Sequence, residues 1–175
     1  MAIQPTHSSR RILLPVKQWF ILFSLAVGFF LNLIPLGHAI GVPDWVALVL
    51  AFWCVREPQR VGMGTAFAAG LVMDVAAGSV MGQHPLAFLL LAFAAGGLSR
   101  RILWFPLAKQ ALHVLPLLLA TQLVMVVVRL AGGADFPGWG YFLGSLTGAL
   151  LWFPITFVLL LPQYQPVEKD ENRPI

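Results

Sequence analysis

Charge is scarce in this sequence. Asp, Glu, Lys and Arg make up 10% of its 175 residues, against about a quarter in an ordinary globular domain. With 59% hydrophobic residues and a mean hydropathy of +0.83, too few polar side chains remain to cover a water-facing exterior. Cysteine is almost missing: Cys54 stands alone, which excludes an intramolecular disulfide and a thiolate metal cluster. The histidines His7, His38, His84 and His113 are scattered without ligand spacing, so no metal centre is expected. No glycine-rich phosphate loop ending in lysine occurs, and Asp44, Asp74 and Asp135 lie far apart along the chain. This removes the motif basis for nucleotide chemistry and for a glycosidase pair. Gly144-Ser145-Leu146-Thr147-Gly148 lacks the register and the strand-turn-helix setting of a serine-hydrolase elbow. No cofactor is expected, and the chain reads as a non-enzyme.

What the sequence does contain is apolar runs, six of them, over 19–36, 45–55, 61–80, 86–98, 111–130 and 141–161. They predict an all-α integral membrane protein with about six transmembrane helices in one bundle. A polytopic domain is expected over 19–161, between tails 1–18 and 162–175. The second and fourth runs are short. Extension back through Ile40 and on through Phe105 makes them long enough to cross a thinned bilayer, and a re-entrant or broken helix is the alternative. Pro35, Pro116 and Pro154 fall within or beside runs, where each removes a backbone donor and kinks its helix.

Ten of the eleven Lys and Arg residues fall on one side of these runs: Arg10, Arg11, Lys17, Arg56, Arg60, Arg100, Arg101, Lys109, Lys169 and Arg173; Arg129 alone falls on the other. Loops rich in Lys and Arg stay in the cytoplasm, so both termini are expected there. The sequence pI of about 9.8 reflects this asymmetry and not nucleic-acid binding, because no soluble module presents the basic clusters. Ser9-Arg10-Arg11 has the look of an export signal, but the first run exceeds the ~7–15 residues of a signal core and five more runs follow. An uncleaved first span is expected. Asp44 is placed to cap a helix starting at Trp45, and 56–60 reads as a tight charged turn around Pro58.

Asp74 lies inside the third run, on a four-residue spacing with Gly62, Ala66, Gly70, Gly78 and Gly82. A carboxylate at bilayer depth costs at least ~2.5–3.5 kcal/mol on insertion scales and is turned away from lipid. Small residues on one stripe let membrane helices approach closely. The stripe therefore predicts helix packing or partner binding around Asp74. Gly140, Gly144 and Gly148 form a second such series, serving packing within the chain, a partner or a homodimer. Asn32, Asp74, His84 and Arg129 all fall in the outer half of the runs. Three readings are open for them: an Asp74–Arg129 ion pair, an outward pocket for a ligand or lipid group, or contact with another protein's membrane helix. Arg56, Glu57, Arg60, Arg100 and Arg101 are candidate contacts on the cytoplasmic face, where solvated positive-inside anchoring explains them equally well.

From Pro43 to His84 the chain resembles the MreD family of bacterial rod shape-determining membrane proteins. The resemblance is carried by Phe52-Trp53, Arg56-Glu57-Pro58, Gly62 and Gly64, Gly70-Leu71-Val72-Met73-Asp74, and Gly78-Ser79-Val80-Met81-Gly82-Gln83-His84. Phe93 departs from the tyrosine found in many relatives. The resemblance implies a non-enzymatic adaptor in the cytoplasmic (inner) membrane that binds the bitopic protein MreC. It also implies work with MreB filaments, RodZ, the glycosyltransferase RodA and its transpeptidase partner, coupling the filaments to peptidoglycan synthesis. The implied fold is similar to that of the substrate-binding subunits of energy-coupling-factor transporters. That likeness supplies the rival expectation, a small-molecule or lipid-binding transporter subunit.

Overall fold

The computed structural model describes residues 16–34 and 41–163. The expectations placed on the two tails, on Pro35 and on His38 lie outside the described residues. Six α-helices follow one another: α1 Gln18–Leu33, α2 Trp45–Arg56, α3 Met63–Ala77, α4 Gln83–Trp104, α5 Leu107–Ala131 and α6 Leu143–Leu160. Short 3-10 turns at Trp139–Phe142 and Leu161–Gln163 flank α6, and no strand occurs among the described residues. Helices α4, α5 and α6 with its flanking turns are long and apolar enough to cross a membrane; α1, α2 and α3 are shorter apolar helices.

The two short runs resolve differently. The fourth grows into the 22-residue α4, because Gln83, His84 and Pro85 form its first turn and Arg100 and Arg101 continue its last. Proline is tolerated there because first-turn N–H groups have no partner within the helix. The second run does not extend back to Ile40. It starts at Trp45, where the Asp44 carboxylate accepts a 3.0 Å hydrogen bond from the Ala47 N–H, and it stays at 12 residues.

At 1.5 Å per residue α2 is about 18 Å long, well short of a ~30 Å hydrocarbon core. Its surroundings account for its length. Every residue over 46–55 is buried, as expected of a helix that is apolar on all sides and packs at the centre. Helices α1, α4, α5 and α6 all contact it. Phe52 lies 5.0 Å from the Trp53 ring and 5.8 Å from the Trp152 ring, centroid to centroid, joining α2 to α6. Trp53 Nε1 donates to Ser24 Oγ of α1 at 2.8 Å. Helices α3, α4, α5 and α6 pack in chain order, each on the next. Helices α1 and α3 touch only lightly, and a cleft of about 540 Å³ opens between them.

The helices alternate in direction, so the turns gather at two ends. The basic end carries Lys17, Arg56, Arg60, Arg100, Arg101 and Lys109; the far end carries the turns after α1, α3 and α5.

Candidate functional site

At the far end, one polar side chain from each odd-numbered helix reaches the start of the helix that follows. Asn32 of α1 accepts from the Trp45 N–H at 2.8 Å and donates Nδ2–H to Asp44 Oδ1 at 2.8 Å. Gln122 of α5 donates Nε2–H to the Tyr141 carbonyl at 3.1 Å, and its Oε1 accepts from Ser145 Oγ. The fullest arrangement is at Asp74 of α3. Its Oδ2 accepts from the Gly82 N–H at 2.6 Å, and its Oδ1 from the His84 N–H at 3.0 Å, His84 Nδ1–H at 2.6 Å and Ser79 Oγ–H at 2.9 Å.

Asp74 therefore caps α4, a neighbouring helix. The first backbone N–H groups of a helix lack partners within it, and the partial positive charge of that end favours an anion. A 2% exposed carboxylate is held by four donors, one of them the His84 imidazole. The chain reverses between α3 and α4 through Gly78 at φ 59° and Gly82 at φ 93°, backbone shapes that residues with a side chain rarely adopt. Without those two turns the amides of Gly82 and His84 could not face back toward Asp74.

The small-residue stripe divides into separate roles. Gly70 makes the close approach: a Cβ there would sit 2.5 Å from Pro85 Cα and N, so α3 and α4 meet backbone to backbone. Ala66 is fully buried. Gly78 and Gly82 have open space around them and belong to the turn, since α3 ends at Ala77. Gly62 is the residue preceding α3, also with nothing close. In the second series Gly140 lies in the 3-10 turn, ahead of α6. A Cβ on Gly144 would meet the Val42 carbonyl oxygen at 2.6 Å, and one on Gly148 would meet Leu118 Cδ1 at 2.9 Å. Gly70, Gly144 and Gly148 thus face groups of the same chain.

The expected Asp74–Arg129 ion pair is not formed. Asp74 pairs with His84, and Arg129 Nε donates to the Asp135 carbonyl at 3.0 Å, closing the loop after α5. A partner ten residues away across one tight turn was reachable without crossing to α5. The four polar residues engage different partners: Asn32 of α1 bonds at the start of α2, Asp74 and His84 bond each other between α3 and α4, and Arg129 bonds its own loop. Ser79, Asp74 and His84 share the letters of a hydrolytic triad without its geometry. Ser79 Oγ and Asp74 Oδ1 both lie at Nδ1, at 3.2 and 2.6 Å, whereas a relay places nucleophile and carboxylate on opposite ring nitrogens.

Sequence reasoning missed the Gln122–Ser145 link and the bond from Thr147 Oγ1–H to the Gly41 carbonyl at 2.6 Å. The signal for the first was a lone amide in the apolar run 111–130. At the basic end Arg60 Nη1 donates to the Val16 carbonyl, and Arg60 Nε lies 3.7 Å from Glu57 Oε2. Arg56 sits over the Phe52 ring, 5.8 Å from its centroid, and Arg100 and Arg101 are exposed.

No solved structure matches this chain. Residues 11–161 match the family described as rod shape-determining protein MreD. The chain is similar to the rod shape-determining protein MreD of Haemophilus influenzae, 30% identical over 152 residues that cover 83% of this chain and 91% of the relative. A match of that extent, on a helical chain whose Gly70–Asp74 and Gly78–His84 segments build one capped turn, places this protein in the MreD family of rod shape-determining proteins.

Proposed function

We propose that this chain is a non-enzymatic, multi-pass scaffold of the rod-shape complex in the bacterial inner membrane, with both termini cytoplasmic. In this reading all six helices form one membrane bundle over 19–161, with α2 as its buried centre. Kinship with the substrate-binding subunits of energy-coupling-factor transporters belongs to the same reading. The chain binds MreC directly and works with MreB, RodZ, RodA and its transpeptidase, so that filaments inside the cell are coupled to peptidoglycan synthesis outside.

One observation carries the proposal beyond family membership. Asn32, Asp74 and Gln122 are each engaged in bonds to the start of the following helix, which suits a rigid part whose work is assembly. The orientation is supported by the clustering of Lys17, Arg56, Arg60, Arg100, Arg101 and Lys109 at one end. Affinity capture of the tagged chain from native membranes tests the proposal. MreC is expected as the main companion, with the other rod-complex proteins at lower yield. Capture of a stoichiometric small molecule with no rod-complex protein would favour a transporter subunit and end the scaffold reading.

A further inference from the structure

The cleft between α1 and α3 belongs to none of the arrangements above. Leu22, Ala26 and Phe29 form one wall, Ala68 and Val72 the other, and Val46 of the buried α2 the floor. A second hollow of about 330 Å³, sharing Phe29 and Val72 and reaching Val75, continues it toward the far end. Its polar lining residues, Gln18, Arg60 and Thr65, all lie at the basic end. Lys17 is exposed beside Gln18. Arg60 is held at the mouth by its bond to the Val16 carbonyl, with its side chain 35% exposed. Among the described residues Glu57 is the one acid paired with Arg60, so Arg60 and Lys17 leave the mouth net positive.

An apolar trough along two helices with a cationic mouth at one end matches an amphiphile with an anionic head. We propose that this cleft binds one anionic phospholipid, an acyl chain lying along α1 and α3 and the phosphate at Arg60. Basic pockets between membrane helices on the cytoplasmic side select anionic head groups in this way. The cationic mouth calls for an anionic head group, and the volume of about 540 Å³ lies within the ~300–1,000 Å³ of small-molecule sites. The inference rests on the membrane placement proposed above and not on the partner set.

The test uses the full chain, delipidated in detergent and offered phosphatidylglycerol or phosphatidylcholine with identical acyl chains, with bound lipid counted by native mass spectrometry. One phosphatidylglycerol is expected to be retained in preference. Arg60→Gln should lower that retention about fivefold, the effect of one basic residue near an anionic surface, and Ala26→Phe should fill the cleft and remove both lipids, each variant keeping the wild-type melting temperature. Equal retention of the two lipids, or retention indifferent to both substitutions, overturns the proposal. A photo-cross-linker at Leu22 of the otherwise native chain, in cell membranes, gives a readout that needs neither variant. A lipid-sized adduct supports the site, and a protein-sized adduct assigns the cleft to a partner helix and overturns it. Labelling of the basic end by a membrane-impermeant reagent added outside intact cells would instead refute the membrane placement and leave the lipid counts standing.

Discussion

Asp74 accepts four hydrogen bonds, and two of them come from backbone amides at the start of α4. Removing a buried acceptor leaves its donors with a desolvation cost of ~1–3 kcal/mol each. Asp74→Ala is therefore expected to cost about 3 kcal/mol or more, and Asp74→Asn, which keeps one acceptor oxygen, about 1–2 kcal/mol. His84→Gln should cost less than either, because it spares the backbone amides. Denaturant unfolding in detergent micelles measures all three, and a smaller loss in Asp74→Ala than in His84→Gln would contradict the capping role. That the acid is turned away from the surface was legible in the sequence. Its partner was not, because Arg129 and His84 are equally good counter-charges on paper and only the Gly78 and Gly82 backbone angles bring His84 back onto Asp74.

At the scale of elements, the glycines sort by what a methyl group would strike. Gly70→Ala pushes on the Pro85 backbone, which cannot swing aside, and overpacking of this kind costs ~1–3 kcal/mol. Gly144→Ala meets the Val42 carbonyl and Gln122 Nε2, at 2.6 and 2.8 Å, and should be nearly as harmful. Gly148→Ala meets only the end of the Leu118 side chain and should be milder. Gly64→Ala, inside α3 with nothing within 4 Å, should be neutral or slightly stabilising, since alanine favours a helix by ~0.5–1 kcal/mol. The same unfolding measurements check this order, and equal effects at Gly70 and Gly64 would refute the close approach of α3 and α4. A four-residue spacing continues unchanged past Ala77 although the helix stops there, so periodicity alone cannot separate turn glycines from packing glycines. Run length says little in the same way for α2: its 12-residue helix is apolar on all sides because four neighbouring helices bury it.

At the scale of the molecule, the charge asymmetry and the six runs told of an all-helical chain with its basic residues gathered at one end. The cleft beside α1 left no mark in the sequence, because it is a gap between helices distant along the chain. The single Cys54, buried in α2, makes the proposed orientation directly measurable. In a Cys54→Ala background, a cysteine at Ala134 should react with an impermeant thiol reagent in intact cells, and one at Gln59 only after permeabilisation; the reverse pattern would invert the topology. The central claim is that Asp74 is committed to building the fold and meets no partner directly. Its most direct test is the amount of MreC captured per mole of folded Asp74→Asn protein, counting only the chain recovered as a monodisperse species. The account predicts wild-type capture per folded chain with a lower total yield. Full yield of folded protein with capture lost would show that Asp74 acts on the partner itself, and would contradict it.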